Sequence, residues 1–213
     1  MNRLFVSLCA LALLAAAQAD GRAYAEGVIG KSDAPAQFVN QSHGPSIMIR
    51  HRASGLACAL SEKAEDQGHD SVRAKADGSE AACVIHVSGF TVELSARRLP
   101  APLTADQALS GRVAELKAAH PEATPYEGEK IAMTQPDGPP RPRTAYDYYR
   151  IKQDGHDLYV RLAASVADGW LVEERVTGPL ADGGFGELLS VGMMFVAVDG
   201  VLDLLSDDPR PKA

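Results

Sequence analysis

Residues 146–177 read YDYYRIKQDGHDLYVRLAASVADGWLVEERVT, and they contain the clearest strand pattern in the chain. Asp-Gly pairs at 154–155 and 168–169 divide this stretch into three segments, and Asp-Gly is a preferred pair for a two-residue hairpin turn. In the middle segment every second residue is apolar, as expected for a strand with one buried face. These residues are Leu158, Val160, Leu162, Ala164 and Val166. The pattern predicts a meander of three consecutive antiparallel strands.

A long helix is predicted on each side of this meander along the chain. Residues 104–107 read TADQ, which fits a capping box, in which the Thr and Gln side chains satisfy free amides at a helix start. This helix should end at His120, because the residue before a proline avoids helical geometry. The second helix is predicted from Phe185 to about Leu205, with an apolar stripe formed by Phe185, Leu188, Leu189, Met193 and Val196. Its apolar centre is short for a membrane span, so we expect it to pack in the core.

Shorter apolar runs predict further strands before the meander. They are 47–49, 56–60, 83–87, 90–94 and 126–133. A proline-rich loop over 135–143 follows, and we expect an extended connection there, with a polyproline recognition segment as the alternative. Together these elements predict a single α+β domain over residues 46–205. It consists of an antiparallel sheet with a C-terminal three-strand meander, packed by two long helices.

The N-terminal segment has the layout of a secretory signal peptide. Arg3 precedes an apolar run over 4–17, and small-x-small patterns follow at 17–19 and 23–25. We therefore predict that residues 1–25 include a signal peptide, with cleavage after residue 19 or 25. The alternatives are a buried N-terminal helix and an uncleaved anchor.

Export implies a periplasmic or secreted protein with no stable membrane span after processing. Residues 26–45 have little periodicity and are predicted to form a mobile leader. Residues 206–213 are polar and contain proline, so a frayed tail is expected there.

Two cysteines, Cys58 and Cys83, remain once the predicted signal peptide, which contains Cys9, is removed. An even pair in an exported protein predicts a disulfide. The spacing does not match the Cys-x-x-Cys of redox-active pairs, so the bridge is expected to be structural. The alternative is a pair of free buried thiols.

The charge balance limits the kind of partner. The 213-residue chain has a formal net charge of −7, from 21 Lys and Arg residues against 28 Asp and Glu residues. Because phosphate binding needs a basic face, we expect no nucleic acid partner.

The sequence contains no strong catalytic or metal-binding motif, and we expect no catalytic residue, metal or cofactor. A Gly-His-Asp tripeptide occurs at 68–70 and again at 155–157. Adjacent strand residues point to opposite faces, so one tripeptide does not aim both side chains at one ion. The alternatives are a metal site assembled from distant segments and a hydrolase that uses His51 or His86.

Small basic clusters are the candidate contacts with a partner or an anion. They comprise Arg50, His51, Arg52, Arg97, Arg98, Arg141 and Arg143. Three tyrosines, Tyr146, Tyr148 and Tyr149, span both faces of one predicted strand, and an exposed member could also contact a partner.

The order of elements from Phe90 to Leu205 resembles the PsbP-like fold, which includes the periplasmic DcrB-type proteins. The closing portion adds to this resemblance, with GWLV at 169–172 and TGP at 177–179 before the last helix. The segment His51–Cys58 (HRASGLAC) is similar to one in small secreted bacterial proteins and implies no activity.

Because PsbP-like proteins mostly act as accessory or assembly factors, the resemblance implies a non-enzymatic, exported domain that binds another exported or envelope protein. The alternatives are a periplasmic small-molecule or metal-binding module and a hydrolase with a site assembled from distant residues.

Overall fold

The computed structural model describes residues 21–63, 65–128 and 141–202. Three helices lie in these ranges: α1 (21–30), α2 (Ala105–Ala119) and α3 (Gly183–Val201). The strands are β1 (Phe38–Asn40), β2 (Ile47–His51), β3 (Ala57–Leu60), β4 (Ser71–Ala74), β5 (Glu80–Val87), β6 (Phe90–Arg98), β7 (Thr124–Pro125), β8 (Thr144–Gln153), β9 (His156–Ala167) and β10 (Trp170–Pro179). Two short 3-10 turns, Pro35–Gln37 and Leu180–Asp182, complete the set.

The strands form two antiparallel sheets. The large sheet has seven strands in the order β4-β5-β6-β10-β9-β8-β7, and the small sheet has the order β1-β2-β3. The α+β class with an antiparallel sheet is therefore confirmed. The second sheet was not predicted.

The three-strand meander is confirmed as β8, β9 and β10. Asp154 and Gly155 have φ of 50° and 81°, and Asp168 and Gly169 have φ of 48° and 76°. Two successive left-handed residues suit the right-handed twist of paired strands, and Asp-Gly reaches that conformation at low cost. The pairing then follows directly, with Gln153 opposite His156 and Ala167 opposite Trp170.

The capping box at the start of α2 is present as predicted. The Thr104 hydroxyl accepts a hydrogen bond from the Gln107 amide at 3.2 Å, and the Gln107 side chain accepts one from the Thr104 amide at 2.9 Å. His120 caps the other end of the helix, again as expected.

The predicted disulfide between Cys58 and Cys83 is also present, with the two Cα atoms 6.4 Å apart. Cys58 belongs to β3 and Cys83 to β5, so the bond joins the small sheet to the large one. For a loop of 25 residues, the chain-entropy model gives a stabilisation of about 3.5 kcal/mol.

Both faces of the large sheet are covered at its centre. On one face, α2 packs over β8 and β9, where Leu116 contacts Val160 and Leu162. On the other face, α3 and the small sheet cover a larger core that contains Tyr148, Tyr159 and Val172. Strand β9 is therefore buried on both faces, although its sequence alternates like a half-buried strand.

Residues 26–45 differ from the mobile leader that was predicted. They contain the end of α1, a 3-10 turn and β1, and Val28, Ile29 and Phe38 are buried in the main core. The apolar side chains that dock this segment are few and widely spaced, so local periodicity did not reveal them. The strand predicted over 126–133 is wrong in its described part, because the structure has β7 at Thr124–Pro125 and no strand at 126–128. The rest of that strand, most of the proline-rich loop and the predicted tail at 206–213 lie outside the described residues.

Candidate functional site

A cleft of about 350 Å³ opens between the start of β8 and the last turns of α3. It is lined by Arg141, Pro142, Arg143, Thr144, Tyr146, Phe195 and Val198. Strand alternation places Thr144 and Tyr146 on the α3 side of β8. The i,i+3 spacing places Phe195 and Val198 together on α3. Its volume is within the range of small-ligand sites.

Arg141 forms one wall of this cleft and is already paired. Its Nε and Nη2 atoms donate to the Asp199 carboxylate at 2.5 and 2.8 Å, and both side chains are only 13% exposed. The hydrogen bonds to Asp199 raise the pKa of Arg141. Its guanidinium also lies 5.4 Å from the centre of the Phe195 ring. Arg141 therefore holds the aromatic wall and the last turns of α3 in place.

Arg143 is the more exposed of the two arginines that line the cleft, and its side chain reaches towards the start of α2. Its Nη1 atom donates one hydrogen bond, at 2.6 Å, to Asp106 in the first turn of α2. The side chains of Arg143 and Asp106 are 75% and 58% exposed. Because a guanidinium carries five N–H groups, Arg143 has donors left for a ligand.

A buried polar cluster lies behind the cleft, between β9, β10 and α3. We call it the Arg161 cluster, and it comprises Tyr159, Arg161, Glu174, Glu187 and Ser190. The Nη1 atom of Arg161 lies 2.6 Å from Oε2 of Glu174, and its Nε atom lies 3.9 Å from Oε1 of Glu187. The Ser190 hydroxyl contacts both Arg161 and Glu174, and the Tyr159 hydroxyl donates to Glu187.

Burial governs the electrostatics of this cluster. Desolvation raises the pKa of Glu174 to about 7, although Arg161 and Ser190 oppose the shift. Desolvation also works against the charge of Arg161, but Glu174, Tyr148 and Glu187 offset it and its pKa stays above the ordinary value. Burial raises the pKa of Tyr159 as well, so its hydroxyl remains a hydrogen-bond donor.

The Arg161 cluster contacts the ring of Tyr146, which lines the cleft. The Arg161 guanidinium lies 5.1 Å from the centre of the Tyr146 ring and 5.8 Å from that of Tyr148. Tyr148 is buried, whereas Tyr146 is 37% exposed at the cleft. The exposed tyrosine expected from the sequence is therefore Tyr146, and a buried cation supports its ring.

Sequence reasoning missed the Arg161 cluster because charged residues in a strand usually indicate a solvent-facing side. A signal was nevertheless present. Arg161 in β9 and Glu174 in β10 each interrupt an apolar segment, and Glu187 is the one charge between Gly183 and Gly192 in the sequence of α3. Opposite charges on neighbouring strands of a meander are candidates for an internal ion pair.

The first predicted basic cluster has a structural role in two of its three residues. Arg50 is buried and donates to the carbonyl oxygens of Gly55 at 3.2 Å and Gly200 at 2.7 Å, which holds the C-terminal turn of α3. His51 is buried, and its Nδ1 accepts from the Ser54 amide at 3.1 Å. Arg52 is exposed and donates to the Ala36 carbonyl.

The other candidates lie away from the cleft. Arg97 lies on the opposite face of the sheet, where its Nε atom is 3.7 Å from Glu173, and Arg98 is exposed at the end of β6. Of the predicted contacts, the structure therefore brings together only Arg141 and Arg143.

Two histidines, His69 and His86, lie close together near Asp70. The His86 Nδ1 atom lies 3.7 Å from Asp70, and its ring is 5.7 Å from that of His69. Across residues 21–63, 65–128 and 141–202, no group of three or more His, Cys, Asp or Glu side chains is arranged to hold a metal ion.

The outer side of α3 is apolar and runs into the cleft. We call it the α3 stripe, defined by Phe185, Leu188, Gly192 and Phe195. The side chains of Phe185 and Leu188 are 44% and 61% exposed. The helix packs in the core as predicted, but through Met194, Ala197, Val198 and Val201. The predicted stripe is wrong in its first turn, because Phe185 and Leu188 face solvent. The segment Leu180–Val201 is long and apolar enough to cross a membrane by length and composition, a test that core helices also pass.

Comparisons with known proteins give little further information. No protein-family model and no curated protein matches this chain. Among solved structures, a Pseudomonas aeruginosa protein of unknown function is similar, with 14% sequence identity and a TM-score of 0.36. That match covers 78% of this chain and 99% of the other.

Proposed function

We propose that this chain is an exported, non-enzymatic accessory domain that binds another exported or envelope protein through the α3 stripe. The observation that carries the proposal is the exposure of Phe185 and Leu188 on a helix whose outer side has no charge before Asp199. Contiguous exposed apolar side chains on a folded domain typically mark an interaction site.

Export is supported by two features of different kinds. The N-terminal sequence has the layout of a signal peptide, and the disulfide is compatible with an oxidising compartment. The resemblance of residues 90–205 to the PsbP-like fold agrees with an accessory role in the periplasm or outside the cell.

The charges around the stripe favour a protein over a membrane surface. Helices that lie on anionic bilayers are bordered by free Lys and Arg side chains. Here Arg141 is paired with Asp199, and the chain has a net charge of −7. An apolar stripe at the surface of an acidic domain therefore suits an apolar segment of another protein.

A small-molecule binding module is the second candidate, because the cleft of about 350 Å³ combines arginines with aromatic side chains. The two candidates predict different effects of replacing Leu188, which belongs to the stripe and does not line the cleft. The replacement should impair binding of a protein along the stripe, but it should not affect a small molecule in the cleft.

Site-specific photo-crosslinking in the native cell envelope tests the proposal. A benzophenone side chain at Gly192, whose Cβ position meets open space, should give one discrete adduct with an exported protein. The same group at Glu93, exposed on the opposite face of the large sheet, should give none.

The adduct at position 192 should also disappear when Leu188→Asp is introduced into the same chain, because the charge interrupts the apolar surface. Leu188 is 61% exposed, so this variant should fold normally. Equal labelling from positions 192 and 93, labelling of lipid alone, or an adduct that survives L188D would overturn the proposal.

A further inference from the structure

We infer that the cleft at the end of the α3 stripe binds a side-chain carboxylate of the partner, adjacent to an apolar residue, with Arg143 as the anchor. This inference rests on the proposed function, because a partner segment that lies along the stripe also passes over the cleft. Phe195 belongs to both surfaces and makes them continuous.

The pairing of Arg143 shows which chemistry the cleft accepts. Its present partner is itself a carboxylate, that of Asp106, held by a single hydrogen bond between two largely exposed side chains. Exposed ion pairs of this kind contribute little to stability, so a carboxylate from outside can replace Asp106 or share the remaining donors.

The other cations near the cleft are committed to internal partners, which limits the charge of the ligand. Arg141 is held by two hydrogen bonds to Asp199, and Arg161 is buried against Glu174. Among the described residues that line the cleft, Arg143 is the one with a largely exposed guanidinium, so the cleft suits a monoanion better than a phosphate dianion.

The apolar side chains that line the cleft determine which kind of group can lie next to the carboxylate of the ligand. Tyr146, Phe195 and Val198 also line the cleft, and they add two aromatic rings and an aliphatic side chain to it. A carboxylate next to an apolar residue satisfies both parts of the cleft, because the apolar group covers the rings while the guanidinium takes the charge.

Two capped dipeptides of the same shape test this chemistry directly. N-acetyl-Phe-Asp-amide should bind the purified protein with a millimolar Kd in an NMR titration and shift the signals of Thr144, Tyr146 and Val198. N-acetyl-Phe-Asn-amide should bind at least about tenfold more weakly, because it lacks the charge-assisted hydrogen bonds.

Three variants separate recognition from a structural effect. Arg143→Gln should weaken binding of the aspartyl peptide by about tenfold, whereas Asp106→Asn should strengthen it by about two- to fivefold, since it removes a competing carboxylate. Arg150→Gln is the matched control, because Arg150 forms a similar exposed pair with Asp157, and it should bind like the wild type.

The inference is wrong if the two peptides bind equally, if R143Q binds like R150Q, or if D106N weakens binding. It is also wrong if N-acetyl-phenylalanine, which carries a chain-end carboxylate, binds more tightly than the aspartyl peptide. The proposed function can fail separately, because the adduct at position 192 and its loss in L188D do not depend on Arg143.

Discussion

The Nη1 atom of Arg161 lies 2.6 Å from Oε2 of Glu174, and neither side chain is exposed to solvent. The two residues lie on adjacent strands of the meander, and Ser190 of α3 contacts both. A buried ion pair of this kind adds little net stability but becomes costly when one partner is lost. Through Ser190 the pair connects α3 to the sheet, and the Arg161 guanidinium also lies under the Tyr146 ring at the cleft.

Replacing Arg161 alone should therefore destabilise the protein strongly. Arg161→Met leaves Glu174 and Glu187 buried without their cation, and we expect the free energy of unfolding in urea to fall by about 3–5 kcal/mol. Arg150→Met, which breaks an exposed pair, should cost less than about 1 kcal/mol. Equal losses in the two variants would contradict a buried ionic role for Arg161.

The pH dependence of stability should report on Glu174. Its pKa rises from 4.5 to about 7 on folding, chiefly through burial, with Arg161, Ser190 and Glu187 as its neighbours. Below pH 4.5 the carboxyl is protonated in both states and carries no penalty. As the pH rises towards 7, the penalty grows to about 3 kcal/mol.

The wild type should consequently lose stability relative to Glu174→Gln as the pH is raised from about 4.5 to 7. Urea unfolding of both proteins at several pH values measures this difference, and effects common to both chains cancel. A difference that stays constant across the range, or grows in the opposite direction, would rule out the raised pKa.

Arg50 and Arg52 should behave differently although they are two residues apart. Arg50→Gln removes the hydrogen bonds that hold the Gly55 and Gly200 carbonyls, and we expect a loss of about 3 kcal/mol in the free energy of unfolding. Arg52→Gln affects an exposed side chain and should cost less than about 1 kcal/mol. If R50Q were stable but lost the crosslinked adduct, Arg50 would be a contact residue instead.

If the chain is exported as proposed, its mature form should begin at Asp20 rather than at Glu26. Tyr24 donates a hydrogen bond to Asp70 at 2.9 Å and accepts one from the Gly68 amide at 3.1 Å, and Ala25 is fully buried. Burial raises the pKa of Tyr24 to about 12, so the hydroxyl remains a donor.

Cleavage after residue 25 would remove all of these contacts, whereas cleavage after residue 19 keeps them. The intact mass of the protein recovered from the cell envelope distinguishes the two sites. As a control, a chain that begins at residue 26 should unfold at lower urea concentration than one that begins at residue 20. Equal stability of the two chains would show that α1 is dispensable.

Local signals in the sequence determined much of the secondary structure. Asp-Gly at 154–155 and 168–169 specified the two tight turns, because few residue pairs adopt two successive left-handed conformations easily. The capping box at Thr104 specified the start of α2, because its hydrogen bonds join residues only three apart. The disulfide between Cys58 and Cys83 followed from the even number of cysteines that remain after the predicted signal peptide.

The candidate site was predicted only in part. Arg141, Arg143 and the exposed tyrosine were named from the sequence, but nothing in their spacing showed that Phe195 and Val198, some 50 residues later, complete the same cleft. Such a contact depends on how α3 packs across the sheet.

Tertiary structure alone decided which surfaces are covered. Alternation in β9 shows that its side chains point to two faces, but it does not show that α2 covers one face and α3 the other. For that reason Arg161 is buried, although an arginine in a strand usually faces solvent. The sequence by itself thus determined the elements and their turns, since these depend on residues close in the chain. Burial, the Arg161 cluster and the cleft depend on contacts between distant residues, and these exist only in the folded protein.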